Sequence, residues 1–233
     1  MHGAMRIPQL SQRDRFVRRA VAQRSVWAVV GDEDLAHVAS PETPGTEVTL
    51  LWTAQSEALR WADVLATNPR IEIIPLNKLI AEVLPKLAEQ KRRVGPDWSA
   101  DPIECEVDPF DLIASLRHES LEAFLQRMRL NNSVWILEDA DGPALLLANS
   151  NARQLMLPCW ASRDDAELRR NGPWREMLPV EIPVMNFVRA TLPWLDEQNW
   201  LVAPGYTPDG DATELSPHDL IRRIEPVSLA RSA

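Results

Sequence analysis

The feature that most constrains this chain is a repeat with an offset of 108 residues. Trp27 and Trp135 each follow Ser-Val, and Trp52 and Trp160 each close an apolar stretch, at that same spacing. Further matches at this offset are Pro75 with Pro183, Pro85 with Pro193, and Pro109–Ile113 with Pro217–Ile221. Because tryptophans and prolines strongly shape a chain, their regular recurrence predicts that one small domain occurs twice.

The chain length supports two domains. Its 233 residues divide at the repeat into residues 1–118 and 119–233, and each part is long enough for its own core. The apolar pattern of each part predicts the order α-β-β-β-α-α-β-β-α. We therefore predict an α+β fold with two tandem, pseudo-symmetric repeats, each a mostly antiparallel sheet with helices packed on it.

Local signals predict some details of each repeat. A first helix over Ser11–Gln23 has an apolar stripe, and its arginines either bind an acidic partner or a phosphate, or face solvent. A proline ten residues into a later helix, Pro85 or Pro193, lacks an amide donor and predicts a kink or restart there. The alternating stretch Ile103–Val107 predicts a strand, and residues 117–120 a short linker.

The charge balance excludes one class of partner. The chain holds 25 Lys and Arg against 34 Asp and Glu, which gives a net charge of −9, and both repeats are acidic. A protein that wraps DNA or RNA needs a strongly basic surface, so we expect no nucleic-acid partner. An acidic surface instead favours a basic protein as the partner.

The compartment is predicted from what the sequence lacks. No apolar run reaches membrane-spanning length, and the first residues lack the apolar core of a signal peptide. Cys105 and Cys159 occupy unrelated positions in their repeats, so they predict no disulfide framework. These features together predict a cytoplasmic protein that does not bind membranes.

The sequence contains no strong catalytic pattern. Its 4 histidines form no ligand pair, and the carboxylates of Glu138–Asp141 lack the spacing of a calcium loop. Cys159 ends an apolar strand, which favours a buried thiol, although Arg163 nearby leaves a reactive thiol as an alternative. We therefore predict no catalytic residue, no metal and no cofactor.

The second repeat resembles a family of uncharacterised bacterial domains, domain of unknown function 2750. The residues that carry the resemblance are Leu157–Arg163, Gly172–Trp174, Ile182–Pro183 and Phe187, within residues 121–226. The first repeat shares it only through the internal duplication and has no equivalent of Trp174. The resemblance implies a cytoplasmic bacterial protein with no established activity, and it transfers no catalytic residue.

We predict an interaction surface just after the third strand of the second repeat. Ser162 and Asp165 have the spacing of a capping box, which would direct the neighbouring charged side chains outward. Trp174 follows a helix-breaking Gly-Pro, and an exposed tryptophan often anchors an interface, although packing over its own sheet is the alternative. The candidate residues are Arg163, Asp164, Glu167 and Trp174.

Three functional hypotheses follow from the sequence. The leading one is a non-enzymatic interaction module, such as an immunity or adaptor protein, that binds a basic partner protein. The alternative is an enzyme or small-ligand binder that uses the same four side chains in a cleft between the repeats. The third is a structural homodimer.

Overall fold

The computed structural model describes residues 7–31, 34–99, 104–207 and 213–224, with the side chains of residues 7–10 left out. The chain divides into two compact units, Met1–Glu119 and Ser120–Ala233. Each contains antiparallel strand pairs and packed helices, which confirms the predicted α+β fold with two tandem repeats. The sequence also predicts a loose tail over residues 1–10. Residues 7–10 belong instead to the first helix, and residues 1–6 lie outside the described residues.

The first unit follows the predicted order with two differences: a strand is added between the middle helices, and the strand predicted before the last helix forms only an isolated bridge. The last helix continues beyond Glu119 into the second unit. In chain order the elements of the first unit are α1 (Ile7–Gln23), β1 (Ser25–Val30), β2 (His37–Ala39), β3 (Glu47–Trp52), α2 (Gln55–Leu65), β4 (Arg70–Pro75), α3 (Leu76–Lys78), a π-helical turn (Leu79–Val83), α4 (Leu84–Glu89), β5 (Arg93–Pro96) and α5 (Pro109–Asn131).

The second unit repeats this series in more fragments. Its elements are β6 (Ser133–Asp139), β7 (Gly142–Pro143), β8 (Leu146–Leu147), β9 (Leu155–Cys159), α6 (Arg163–Glu167), a 3₁₀ turn (Gly172–Trp174), β10 (Leu178–Pro183), α7 (Val184–Asn186), a π-helical turn (Phe187–Thr191), α8 (Leu192–Glu197), β11 (Leu201–Pro204) and α9 (Pro217–Ile224).

The sheet of the first unit has the strand order β2-β3-β1-β4, with β5 added to β3. All pairs are antiparallel except β3 with β5, which is parallel. Trp27 of β1 lies opposite Trp52 of β3. One buried cluster of this unit gathers around Trp52, which is 0% exposed, and includes Ala58 and Ala62 of α2.

The second unit reproduces this register. Strand β10 pairs antiparallel with β6, and β11 pairs parallel with β9. Trp135 lies opposite Trp160, and their backbones exchange hydrogen bonds of 2.7 and 2.8 Å. This pair stands 108 positions after Trp27 and Trp52, so the repeat in sequence is also a repeat in strand register.

Left-handed backbone positions provide a second structural sign of the repeat. Of the seven described residues with φ between 50° and 67°, six fall into three pairs at the 108-residue offset, and Gly172 is the exception. The pairs are Arg24 with Asn132, Lys91 with Asn199, and Asp97 with Gly205. Because non-glycine residues rarely adopt positive φ, this agreement shows that the same turns recur in both units.

Each proline-containing helix stays helical across its second proline instead of ending and restarting there. A π-helical turn precedes the second proline in both units, and Pro85 and Pro193 then occupy the first turn of the next helix, α4 or α8. Val83 and Leu84, like Thr191 and Leu192, have α-helical backbone angles, so the chain does not leave the helix at the junction. The π turn changes the hydrogen-bond pattern just before the proline, where the missing N–H donor would interrupt an α-helical pattern.

Three local predictions need correction. Helix α1 begins at Ile7 rather than Ser11, and residues 117–120 lie inside helix α5 because no glycine or proline interrupts them.

The predicted strand Ile103–Val107 forms only an isolated bridge, Val94 with Val107, and Ile103 is outside the described residues. The backbone of this segment makes hydrogen bonds to side chains instead of to a strand. The Cys105 amide donates to the Gln12 side chain, and the Cys105 carbonyl accepts from the Trp98 indole.

Candidate interaction surface

The segment that carries the predicted surface begins just after a buried tryptophan, Trp160. Trp160 is 2% exposed, and its indole N–H donates to the Tyr206 carbonyl at 2.9 Å. Trp52 of the first unit donates in the same way to the Trp98 carbonyl at 3.0 Å. Tyr206 follows Trp98 by 108 positions. The end of β3 in the first unit and the end of β9 in the second are therefore held by equivalent indole hydrogen bonds.

The structure places Trp174 in the core. Its exposed fraction is 8%, and its ring meets Trp160 edge-on at a centroid distance of 6.4 Å and Tyr206 at 5.6 Å. Gly172 has φ of 51° and opens the 3₁₀ turn that directs the ring inward. Trp174 therefore packs over its own sheet and does not project as an interface anchor.

Helix α6 has the predicted cap. The Asp165 amide donates to Ser162 Oγ at 3.2 Å, and the Ser162 hydroxyl donates to Asp165 Oδ2 at 3.0 Å. The Asp165 carboxylate also lies 3.3 Å from Arg127 Nη1, which ties the helix start to α5. The cap fixes the helix so that Arg163 and Asp164 are exposed in its first turn.

The charged candidates on α6 are partly neutralised. Glu167 accepts a hydrogen bond from Arg170 at 2.9 Å and lies 3.6 Å from Arg163. The Arg170 hydrogen bond, followed by the positive charges of Arg170 and Arg163, lowers the pKa of the Glu167 carboxyl. Among the described residues Asp164 makes no ion pair, so it is the candidate whose charge is available to a partner.

A second acidic feature, which the sequence did not assign to the surface, is the hairpin of β6 and β7. Helix α6 packs over β6 and β10, and Leu178, the first residue of β10, lies directly opposite Glu138. Leu178 is 61% exposed, whereas Val180 and Ile182 on the same face pack on the core. We call Leu178 and the three acids Glu138, Asp139 and Asp141 the hairpin surface.

The hairpin surface combines an apolar side chain with free charge. Asp139 and Asp141 are exposed and Glu138 is half-buried, and none of the three pairs with a basic side chain among the described residues. The Asp139 carboxylate accepts only the nearby Asp141 amide, at 2.9 Å. The sequence showed the acids but not Leu178, because alternation alone assigns Leu178 to the core face.

Neither cysteine has the surroundings of a nucleophile. Cys105 and Cys159 are both 0% exposed, and burial raises the pKa of the Cys105 thiol to about 12 and raises that of the Cys159 thiol as well. Since the thiolate is the reactive form, neither thiol supplies one near neutral pH. In the described residues no group of three or more His, Cys, Asp or Glu is placed to hold a metal ion.

We expect both thiols to resist a thiol reagent in the folded protein. Ellman's reagent at pH 8 should modify neither Cys105 nor Cys159 in buffer, and should modify both after unfolding in guanidinium chloride, because burial removes both exposure and thiolate. Release of one equivalent of chromophore from the folded protein, abolished by Cys159→Ala, would restore the reactive-thiol alternative.

None of the helices within the described ranges is long and apolar enough to cross a membrane. The fold and the surface together define a tandem α+β repeat protein with an acidic and apolar surface on its second unit. The chain belongs to the family described as protein of unknown function (DUF2750), whose model matches residues 13–116 and 121–224. The two matches confirm the resemblance and extend it to the first repeat.

Other comparisons add little. Among solved structures, the chain is similar to "Anabaena Tic22 (protein transport)" with a TM-score of 0.27 and 10% sequence identity, over 90% of this chain and 96% of that one. A TM-score this low does not indicate a shared fold. No curated protein matches the sequence.

Proposed function

We propose that this protein is a non-enzymatic interaction module of the bacterial cytoplasm that binds a basic segment of another protein through the hairpin surface. The observation that carries the proposal is Leu178, 61% exposed and directly opposite Glu138 in the strand pair. An exposed apolar side chain beside unpaired acids favours a partner with lysines or arginines around an apolar residue.

Charge supports this choice of partner. The chain carries a net charge of −9, and the hairpin acids add a local negative field that steers a basic partner into contact. On helix α6 Asp164 is exposed and makes no ion pair within the described residues, while Glu167 is held by its two arginines. An immunity or adaptor protein that captures a basic partner would use such a surface.

A pull-down from the native bacterial host tests the proposal. The bait variant Glu138→Gln/Asp139→Asn/Asp141→Asn removes three charges while asparagine at position 139 keeps the oxygen that accepts the Asp141 amide. We expect this variant to recover at least about tenfold less of a specific basic partner than the native chain does, because several charge contacts are lost together.

A matched control separates the hairpin from the overall charge. The variant Asp63→Asn/Glu82→Gln/Glu89→Gln changes three exposed acids of the first unit and shifts the net charge equally. It should recover the partner normally, and binding by the native chain should fall at high salt. Equal loss in both variants, or a partner indifferent to salt and to Leu178→Ala, would contradict the proposal.

A further inference from the structure

The first unit has an open strand edge. Within the described residues β4 pairs only with β1 and forms the end of the sheet. Ile73 of this strand is 54% exposed, and Arg70 and Glu72 are exposed without an ion pair to any described residue. A six-residue edge with an exposed isoleucine is a surface on which another strand can add.

The pairing with β1 shows which backbone groups face that edge. Pro75 has no N–H and therefore cannot exchange two hydrogen bonds with β1. The Leu76 amide donates to the Arg24 carbonyl at 2.9 Å, which is the bond expected next to such a non-hydrogen-bonded pair. Because the two kinds of pair alternate, Ile71 and Ile73 direct their N–H and C=O groups away from β1, toward the open edge.

The equivalent strand of the second unit is blocked at the same positions. At the 108-residue offset, Pro179 of β10 stands in place of Ile71, and Glu181 in place of Ile73. Proline removes an outward donor, and a charged residue disfavours apolar contact, so both are typical of a protected edge. The β4 edge keeps both donors and both apolar side chains and therefore lacks this protection.

We propose that β4 pairs antiparallel with β4 of a second copy of this chain. In the register that sets Ile71 opposite Ile71 of the second copy, Arg70 lies opposite Glu72 of the second copy, and the reverse pair forms as well. The two Arg70–Glu72 pairs occupy non-hydrogen-bonded positions, where opposed side chains lie closest. The two isoleucines exchange backbone hydrogen bonds, and Ile73 packs beside Pro69 of the second copy.

The charges of Arg70 and Glu72 favour this register, and they favour a second copy of the chain as the partner of β4. The neighbouring register, with Ile71 opposite Ile73 of the second copy, sets two Glu72 side chains against each other, which is destabilising. The order Arg-Ile-Glu is thus complementary to itself when the strand runs antiparallel to its own copy. The β4 edge belongs to the first unit and the hairpin surface to the second, so the two proposals concern different residues.

Molar mass across a wide range of concentrations, measured by sedimentation equilibrium on the full chain, tests the proposal. We expect a monomer–dimer equilibrium in the native protein. Ile71→Pro should shift it to monomer, because it removes the outward donor but no bond to β1, and β10 carries proline at the same position. Far-ultraviolet circular dichroism establishes that the variant is folded.

A charge exchange tests the register. Arg70→Glu alone and Glu72→Arg alone should each weaken dimerisation by at least about tenfold, since each places like charges opposite one another twice. The double variant Arg70→Glu/Glu72→Arg should restore it. A native chain that stays monomeric would overturn the proposal, as would a dimer that survives Ile71→Pro or a double variant that fails to restore the dimer.

Discussion

Replacing Trp160 by alanine is expected to lower the free energy of unfolding by about 3–5 kcal/mol, as measured by urea denaturation. The side chain is 2% exposed, and its removal leaves a cavity beneath the ring of Trp174, whose centroid lies 6.4 Å away. The change also leaves the Tyr206 carbonyl without the indole donor that now reaches it at 2.9 Å.

A second substitution separates these two contributions. Trp160→Phe keeps most of the apolar volume but removes the N–H donor, so it should cost about 1–3 kcal/mol for the unsatisfied Tyr206 carbonyl and a partial cavity. A cost for Trp160→Phe as large as that for Trp160→Ala would mean that the hydrogen bond, rather than packing, dominates the role of this residue.

Trp194 provides the matched control within the same unit. It is 41% exposed, and its principal aromatic contact is the edge-on ring of Trp200 at 5.2 Å. Trp194→Ala should therefore cost only about 1 kcal/mol. If both tryptophans proved equally costly to truncate, burial would not be the reason for the stabilising role of Trp160.

The repeat was predictable because it rests on residues whose sequence position determines their structural role. Trp27 and Trp52 lie opposite each other in the sheet of the first unit. Trp135 and Trp160 form the equivalent pair as an isolated bridge between β6 and the end of β9, so the sequence offset corresponds to a shared register. The cap by Ser162 was predictable for a similar reason, since a capping box involves residues only three positions apart.

Contacts between distant segments were not predictable in the same way. In the first unit Trp61 from α2 packs on Trp52 at 6.3 Å, whereas in the second unit Trp174 from a 3₁₀ turn packs on Trp160 at 6.4 Å. The two outer tryptophans come from unrelated positions of the repeat, so no offset links them. Each of these tryptophans fills the space over the buried ring of Trp52 or Trp160, and that space is defined only once the chain has folded.

The candidate surface was predicted only in part for the same physical reason. Asp164 is exposed as expected, because its orientation follows from the local helix cap. The inward turn of Trp174 depends on the ring of Tyr206, more than thirty positions away in sequence. The exposure of Leu178 depends on where the core ends above β10, and alternation along a strand carries no information about that limit.

Replacing Glu106 by alanine is expected to lower the free energy of unfolding by about 2–4 kcal/mol in urea denaturation. Its side chain is fully buried, accepts the Ser40 hydroxyl at 2.8 and 2.9 Å, and lies 3.5 Å from Arg93 Nε. Ser40 in turn accepts the amides of Glu42 and Thr43, so the carboxylate holds the loop between β2 and β3. Its removal leaves the Arg93 charge without its partner.

Glu214 of the second unit is a matched control for Glu106. It stands 108 positions later and also anchors a loop by hydrogen bonds, but it is less buried. It accepts the amides of Asn149 and Ser150 and the Ser150 hydroxyl, and it is half-buried. No ion pair to Glu214 occurs within the described residues. Glu214→Ala should therefore cost about 1 kcal/mol, the usual net value of a solvated hydrogen bond. Equal costs at the two positions would show that loop anchoring, and not the buried charge pair with Arg93, determines the contribution of Glu106.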